Sequence, residues 1–321
     1  MGSEAVIEKG KAKANLDVFS STLQELAKHD RNIIVVTSDS RGSGKLAPFG
    51  QKFPAQHVEV GIAEQNLVGV AAGLASCGKK VFAVSPACFL TARALEQIKN
   101  DVAYSNNPVN VIGISAGVSY GALGSTHHSL HDFAALRAIN NIIVVAPADN
   151  FETEQAIKLA AQTDQPIYFR FGKRPMQNLK EDNNDVFEFG KGRIINEGSD
   201  IAIIATGETV SPALQAAKKL KEKNISACVV SMHTVKPLDT SLIAELANRC
   251  KAILTIEEHS VYGGLGEACS SYLLQNKIYK PFRIMGIPDE YTVTGSQQEI
   301  FDHYGLNEKG VAEEVLKLLS K

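Results

Sequence analysis

The stretch Val58 to Cys77, VEVGIAEQNLVGVAAGLASC, sets one carboxylate, Glu64, between a strand-like run and a helix of small and aliphatic residues. From Leu67 to Ala75 that helix carries no charge, and Gly69, Ala71, Ala72, Gly73 and Ala75 let other backbones approach closely. A helix with no polar stripe is expected to be buried all round. A glutamate aimed into such an interior is costly unless it is protonated or hydrogen-bonded. That is the usual setting of a carboxyl with a raised pKa and a proton-transfer role. The same spacing also fits an acidic residue in a helix's first turn, where it complements the helix dipole.

On both sides of this stretch, apolar runs alternate with helical ones. Strands are predicted at residues 32–37, 56–60, 80–84, 109–114, 142–145 and 167–170, with helices over 14–28, 65–77, 93–104 and 151–162. The runs are continuous, as in strands covered on both faces. Strand–helix alternation predicts a parallel sheet with right-handed crossovers. After Arg174-Pro175, a polar and acidic segment from Gln177 to Asn184 precedes a second cycle. Its strands are predicted at 201–205, 226–231 and 252–257, its helices at 211–223 and 238–250. The expectation is an α/β protein of two units, residues 1–185 and a smaller 186–321, each large enough for its own core.

An apolar content of 44%, a charged content of 21% and a formal charge of −2 describe a soluble globular chain. They leave no electrostatic footprint for nucleic acid or an anionic membrane. No apolar run approaches the roughly 20 residues that span a bilayer. Met1-Gly2-Ser3-Glu4 lacks a signal-peptide core, and Val6 stands where a myristoylation signal needs Ser or Thr. Cys77, Cys88, Cys228, Cys250 and Cys269 show no paired spacing for zinc or disulfides. A cytoplasmic protein without a metal site of its own is expected.

Three constellations could carry chemistry. The segment Tyr120 to Asp132, YGALGSTHHSLHD, holds His127, His128 and His131 behind a glycine-rich loop. Adjacent loop histidines point apart, which suits donors or acid–base groups at strand ends better than a metal shell; plain loop histidines are the alternative. Gly263-Gly264-Leu265-Gly266 before a helix lacks the Lys-Ser/Thr of a P-loop and the full dinucleotide spacing, so helix-start packing is the better reading. Arg170, Lys173 and Arg174 follow a strand, where open parallel sheets bind ligands. They could grip an anion, or serve as solvated charge at a domain boundary.

Together, EVGIAEQN, Phe89-Leu90, the GSTHH loop, YFRFGK, ATGETV, TVKPLD, IEEH and YGGLGEA resemble the C-terminal half of transketolase, a thiamine-diphosphate enzyme, over roughly residues 12–318. Several pieces are shared with 1-deoxyxylulose-5-phosphate synthase and with 2-oxoacid dehydrogenase beta subunits. The resemblance implies a pyrimidine-binding domain followed by a transketolase C-terminal domain. Transketolases hold magnesium and the diphosphate with a Gly-Asp-Gly motif, which occurs nowhere in these 321 residues. The expectation is one subunit of a split transketolase. A separate N-terminal subunit would carry the diphosphate and Mg2+, in a heterotetramer with two copies of each.

Carried over by motif, Glu64 matches the carboxyl that hydrogen-bonds the cofactor's pyrimidine, and Phe89 the aromatic that packs on that ring. His127 matches the histidine that contacts substrate hydroxyls or carbonyl, Asp39 an aspartate after the first strand, and Ser43 a serine that touches a substrate phosphate. Arg93 matches an arginine of the synthase branch, with a structural role equally open. His259 is expected to pack near the domain interface without reacting. Three substrate positions depart from the pattern. Ser115 replaces a histidine, Leu123 an aspartate in the Gly-x-Asp-Gly loop, and Lys173, beside Arg174, an arginine that grips phosphate. These changes imply ketol transfer with an unusual anionic sugar, a branched-sugar phosphate or a sulfonated ketose, with pentose phosphates as the fallback. The alternatives are a synthase-like or dehydrogenase-beta-like subunit, or a non-catalytic scaffold of the same fold.

Overall fold

The computed structural model describes residues 12–179 and 186–320. The N-terminal tetrapeptide and the end of the 177–184 segment, including the expected boundary at 185, lie outside the described residues. Strands are β1 (Lys13–Ala14), β2 (Ile33–Thr37), β3 (His57–Glu59), β4 (Lys80–Pro86), β5 (Val109–Ile114), β6 (Ile143–Val145), β7 (Ile167–Arg170) and β8 (Pro175–Met176). They continue with β9 (Arg193–Asn196), β10 (Ile201–Ala205), β11 (Ala227–Ser231), β12 (Thr234–Lys236), β13 (Ala252–Ser260) and β14 (Phe282–Ile287).

Two α/β sheets result. The first runs β12-β6-β7-β5-β4-β2-β3 and is parallel except where β12 joins β6. The second runs β14-β13-β10-β11-β9 and is antiparallel only at β9. A strand from beyond residue 186 thus forms one edge of the first sheet. All residues of β2, β5, β7, β10 and β11 are buried, which explains the unbroken apolar runs. Period-2 alternation sorts β2 between two cores. Ile34 and Val36 pack with Leu67, Val68 and Ala71, whereas Ile33 and Val35 pack with Phe19, Leu23 and Ile157. Each fully buried phenylalanine, such as Phe19 or Phe82, contributes about 2 kcal/mol.

The helix Glu64–Ser76 departs from its expected burial. Leu67, Val68, Ala71, Ala72 and Ala75 face the core, but Gly73 and Ser76 are exposed and Gly69, Val70 and Leu74 are half-buried. A Cβ on Gly69 or Gly73 would meet nothing within 4 Å. Glycine and serine present little apolar area, so this face tolerates water without charge.

A second departure concerns the single helix expected over 93–104. Pro86 closes β4 and a helix starts at once, Ala87–Arg93, followed by Leu95–Gln97 and a π-helical run Ile98–Tyr104. The earlier start puts Phe89 and Arg93 four residues apart on one helical face. The strands β9, β12 and β14 escaped the sequence reading. Edge strand β14 is buried only at Met285 and Ile287 and has no continuous apolar run.

Candidate functional site

Glu64 opens its helix just after β3, and its side chain is 5% exposed. Arg93 Nη1 lies 3.0 and 3.1 Å from its two carboxylate oxygens. The Arg93 guanidinium also lies over the Phe89 ring, 4.4 Å from its centroid. Phe89 meets the His127 ring edge-on at 5.3 Å, and His127 meets Tyr120 the same way at 5.5 Å. Lys173 Nζ stands 4.0 Å from the Tyr120 ring centre. Glu64, Arg93, Phe89, His127, Tyr120 and Lys173 therefore form one unbroken line of contacts. It crosses the carboxyl ends of β4, β5 and β7, where parallel sheets place ligands.

Charge and burial tune this line. Burial pushes the Tyr120 phenol up, opposed by the Ser115 hydroxyl beside it. Burial pushes the Cys88 thiol up to about 11, so the cysteine next to Phe89 stays neutral and inert. Burial lowers Lys173, and the nearby Lys45 charge lowers it further. Thr126 Oγ1 reaches His127 Nδ1 at 3.0 Å, which leaves the other ring nitrogen without a partner among the described residues.

The other predicted residues divide. Ser115 is fully buried in a left-handed conformation (φ 53°). Leu123 is 55% exposed on the rim of the glycine-rich loop. Asp39, also left-handed (φ 55°), and Ser43 are exposed on the loop after β2, with the Ser43 hydroxyl donating to Ser40 O at 3.2 Å. The expected basic cluster is dispersed. Arg170 is buried against Asp132 at 2.9 Å and also donates to the Ser129 and Glu258 carbonyls. Arg174 turns to the second unit, donating to Gln298 Oε1 at 3.0 Å and lying over Phe301. Of these three cations, Lys173 is the one in contact with the line.

The three histidines separate as loop geometry predicts. His127 joins the line, His131 is exposed, and His128 turns inward to Thr292. His259 is buried and stacked on Phe133 at 5.1 Å, and burial brings its pKa down to about 4. At the Gly263 to Gly266 turn, the N–H groups of Leu265 and Gly266 donate to Glu257 at 2.7 and 2.8 Å. That helix start already holds a carboxyl group from its own chain, so it is a packing feature and no phosphate cradle.

The sequence reading missed two contributors. Tyr120 lies at the head of the histidine loop, and an aromatic there could have been singled out. Glu59 gave no signal of its own. Its Oε1 accepts from the N–H groups of Asp39 (2.7 Å) and Gly61 (2.9 Å), tying the loop of Asp39 to the turn that leads into Glu64. These hydrogen bonds, with that of Thr37, hold the Glu59 carboxyl below its usual range against the opposing effect of burial.

Two family models match the chain, "Transketolase, pyrimidine binding domain" over residues 11–178 and "Transketolase, C-terminal domain" over residues 190–311. The chain is 47% identical to one subunit of the apulose-4-phosphate transketolase of Phocaeicola vulgatus, over 94% of this chain and 96% of that protein. It is 34% identical to a 6-deoxy-6-sulfo-D-fructose transketolase subunit of Clostridium sp., over 92% of this chain and 91% of that protein. Among solved structures, one described as a split gene transketolase, inactive beta4 tetramer, superposes with a TM-score of 0.85. It is 35% identical, with 96% of this chain and 99% of that chain covered. No helix among the described residues is long and apolar enough to cross a membrane.

Proposed function

This chain belongs to the transketolase family, and we propose that it is the pyrimidine-binding subunit of a two-chain enzyme that moves a two-carbon ketol unit from a ketose to an aldose phosphate. The pyrimidine-binding domain makes thiamine diphosphate its cofactor, which when bound supplies the carbanion chemistry. The single observation that carries the reading is the line from Glu64 to Lys173, which sets a buried carboxylate, an aromatic ring, a histidine and a cation side by side.

The residues fit the pyrimidine end of the cofactor on a feature of this chain itself. A planar group bearing N–H donors, the Arg93 guanidinium, already bonds Glu64 and lies on Phe89. An aminopyrimidine offers the same planarity, with N–H donors in its amino group and, once protonated, at its ring nitrogen. Glu64 would hold its ring nitrogen and share a proton with it, Phe89 would fix its plane, and Asp39 would border it from the loop after β2. His127, with an open ring nitrogen, would meet substrate hydroxyls or carbonyl and move a proton there.

The diphosphate and Mg2+ belong to a partner subunit. Support comes from the missing Gly-Asp-Gly motif and from relatives named as subunits. The split-gene structure, described as an inactive tetramer of beta chains, points the same way. The working assembly has two copies of each chain and acts in the cytoplasm.

The sugar carries a terminal anion. Lys173, with Lys45 near it, supplies cationic recognition, and Leu123 on the loop rim leaves a less polar edge than an aspartate would. The relatives' names point to apulose 4-phosphate first and to 6-deoxy-6-sulfofructose second. The test is co-purification with a partner of roughly 250 to 300 residues bearing the magnesium–diphosphate motif, assayed on a panel of ketoses. A clear preference for xylulose 5-phosphate with ribose 5-phosphate would retire the unusual sugar. Decarboxylation of pyruvate would move the chain to the synthase branch.

A further inference from the structure

The loop that carries Leu123 and His127 is held partly by its own backbone, with His127 N–H donating to Gly124 O at 2.9 Å and Ser129 N–H to Gly117 O at 2.8 Å, and partly from outside. Its far side rests on the second unit, at residues 292–295. His128, one residue after His127, is buried with Nε2 3.0 Å from Gly121 O and Nδ1 2.6 Å from Thr292 Oγ1. A carbonyl oxygen can only accept, so Nε2 carries the ring proton. Nδ1 of the neutral ring must then accept, and the Thr292 hydroxyl donates to it. That leaves Thr292 Oγ1 to accept from Ser125 Oγ at 2.9 Å, while Thr292 N–H donates to Ser125 Oγ at 3.0 Å. Every donor in this ring of contacts has one acceptor, and the assignment is unique.

The backbone around the ring is fitted to the contact. Gly121 and Gly124 have φ of 51° and 72°, and a Cβ on Gly121 would lie 2.5 Å from Gly295 O. A side chain at Gly121 would push the two units apart. Burial lowers the His128 pKa, with His127 adding to the effect, so the neutral ring persists at neutral pH.

We propose that Thr292 is a positioning residue for the sugar site: through His128 and Ser125 it fixes the loop so that His127 stands edge-on between Phe89 and Tyr120. The role of His127 toward sugar rests on the function proposed above, but its placement does not, and the two are tested apart.

The placement is read on the full-length chain labelled with 15N-histidine, without any turnover. In the wild type, His128 shows the Nε2–H tautomer. In Thr292→Val the His128 Nδ1 resonance moves as its hydrogen bond is lost and the His127 ring signals shift, whereas Thr292→Ser restores both. If T292V does not fold, Ser125→Ala, which removes the hydroxyl on the loop side, carries the same expectation for His127. Unchanged His127 signals in a folded T292V or S125A chain overturn the proposal. In the reconstituted pair, T292V raises KM for the sugar on the order of tenfold and leaves the cofactor constant within about twofold, again with rescue by T292S. Equal losses in both constants would mean a general structural role and would also overturn it. If the wild-type pair transfers no ketol unit, the proposed function fails, and the histidine signals still decide the placement.

Discussion

Arg93 and Glu64 hold one another across 3.0 Å, and the same guanidinium lies on Phe89. The pair is asymmetric, since the Glu64 side chain is 5% exposed and that of Arg93 is 50% exposed. The carboxylate is fixed and the cation is the member free to move. A planar ligand that takes both contacts must displace it.

Arg93→Ala therefore removes an internal competitor. Calorimetry on the reconstituted pair is expected to show cofactor binding tightened about five- to tenfold, since less of the chain sits in a closed state. Weaker binding in the variant would make Arg93 part of the bound site instead.

Glu64→Gln keeps the shape and removes the proton. Turnover of the reconstituted pair is expected to fall at least about a hundredfold, with thermal stability close to the wild type. Full turnover in this variant would leave Glu64 without a proton role.

Two glycines give a stability contrast. A Cβ on Gly264 would overlap the Glu257 carboxylate that caps the following helix, so Gly264→Ala is expected to destabilise the chain by about 2–4 kcal/mol. Gly69→Ala meets nothing within 4 Å and is expected to stabilise the isolated chain by about 0.5–1 kcal/mol. Denaturant unfolding of both variants checks the pair. Similar shifts would show that the Glu257 cap is loose.

The interface between the units predicts a pH dependence. Burial, and then the neighbouring Glu258, push the Glu208 carboxyl up to about 7. Gln297 Nε2 bridges the two carboxylates at 2.7 and 2.8 Å. With a folded pKa above the unfolded value of 4.5, the folded chain binds the extra proton, so this stability is lost as pH rises from 4.5 through 7. His233 and His259, pushed down to about 3 and about 4 mainly by burial, act in the opposite sense below their ordinary 6.5. Glu257, also raised to about 7, acts in the same sense as Glu208. The midpoint of thermal unfolding is therefore expected to drop as pH rises from about 6.5 to about 7.5, and less steeply in Glu208→Gln. An identical slope in the variant would show that Glu208 does not titrate in this range.

The parts of the site that could be read in the sequence share a reason. Glu64, Phe89 and His127 sit in short motifs whose chemistry is local, and the strand ends that carry them are marked by continuous apolar runs. Arg174 shows the limit. It follows Lys173 directly, yet it reaches across to Gln298, 124 residues away, because the chain bends at Lys173 and Arg174 before β8. Thr292 shows the limit more sharply. Nothing near it in the chain marks it, and its partners Ser125 and His128 lie 167 and 164 residues earlier.

The sequence alone determined the α/β alternation, the family and the chemical kinds of the site residues, because apolar periodicity and short motifs are local properties of a chain. Tertiary structure decided how those groups are partnered. It put Arg93 on Glu64, dispersed the basic cluster, left one face of the uncharged helix open and set Thr292 behind the histidine loop. Each of these depends on which segments meet in space, and the meeting is fixed by sheet order and packing between elements far apart in the chain.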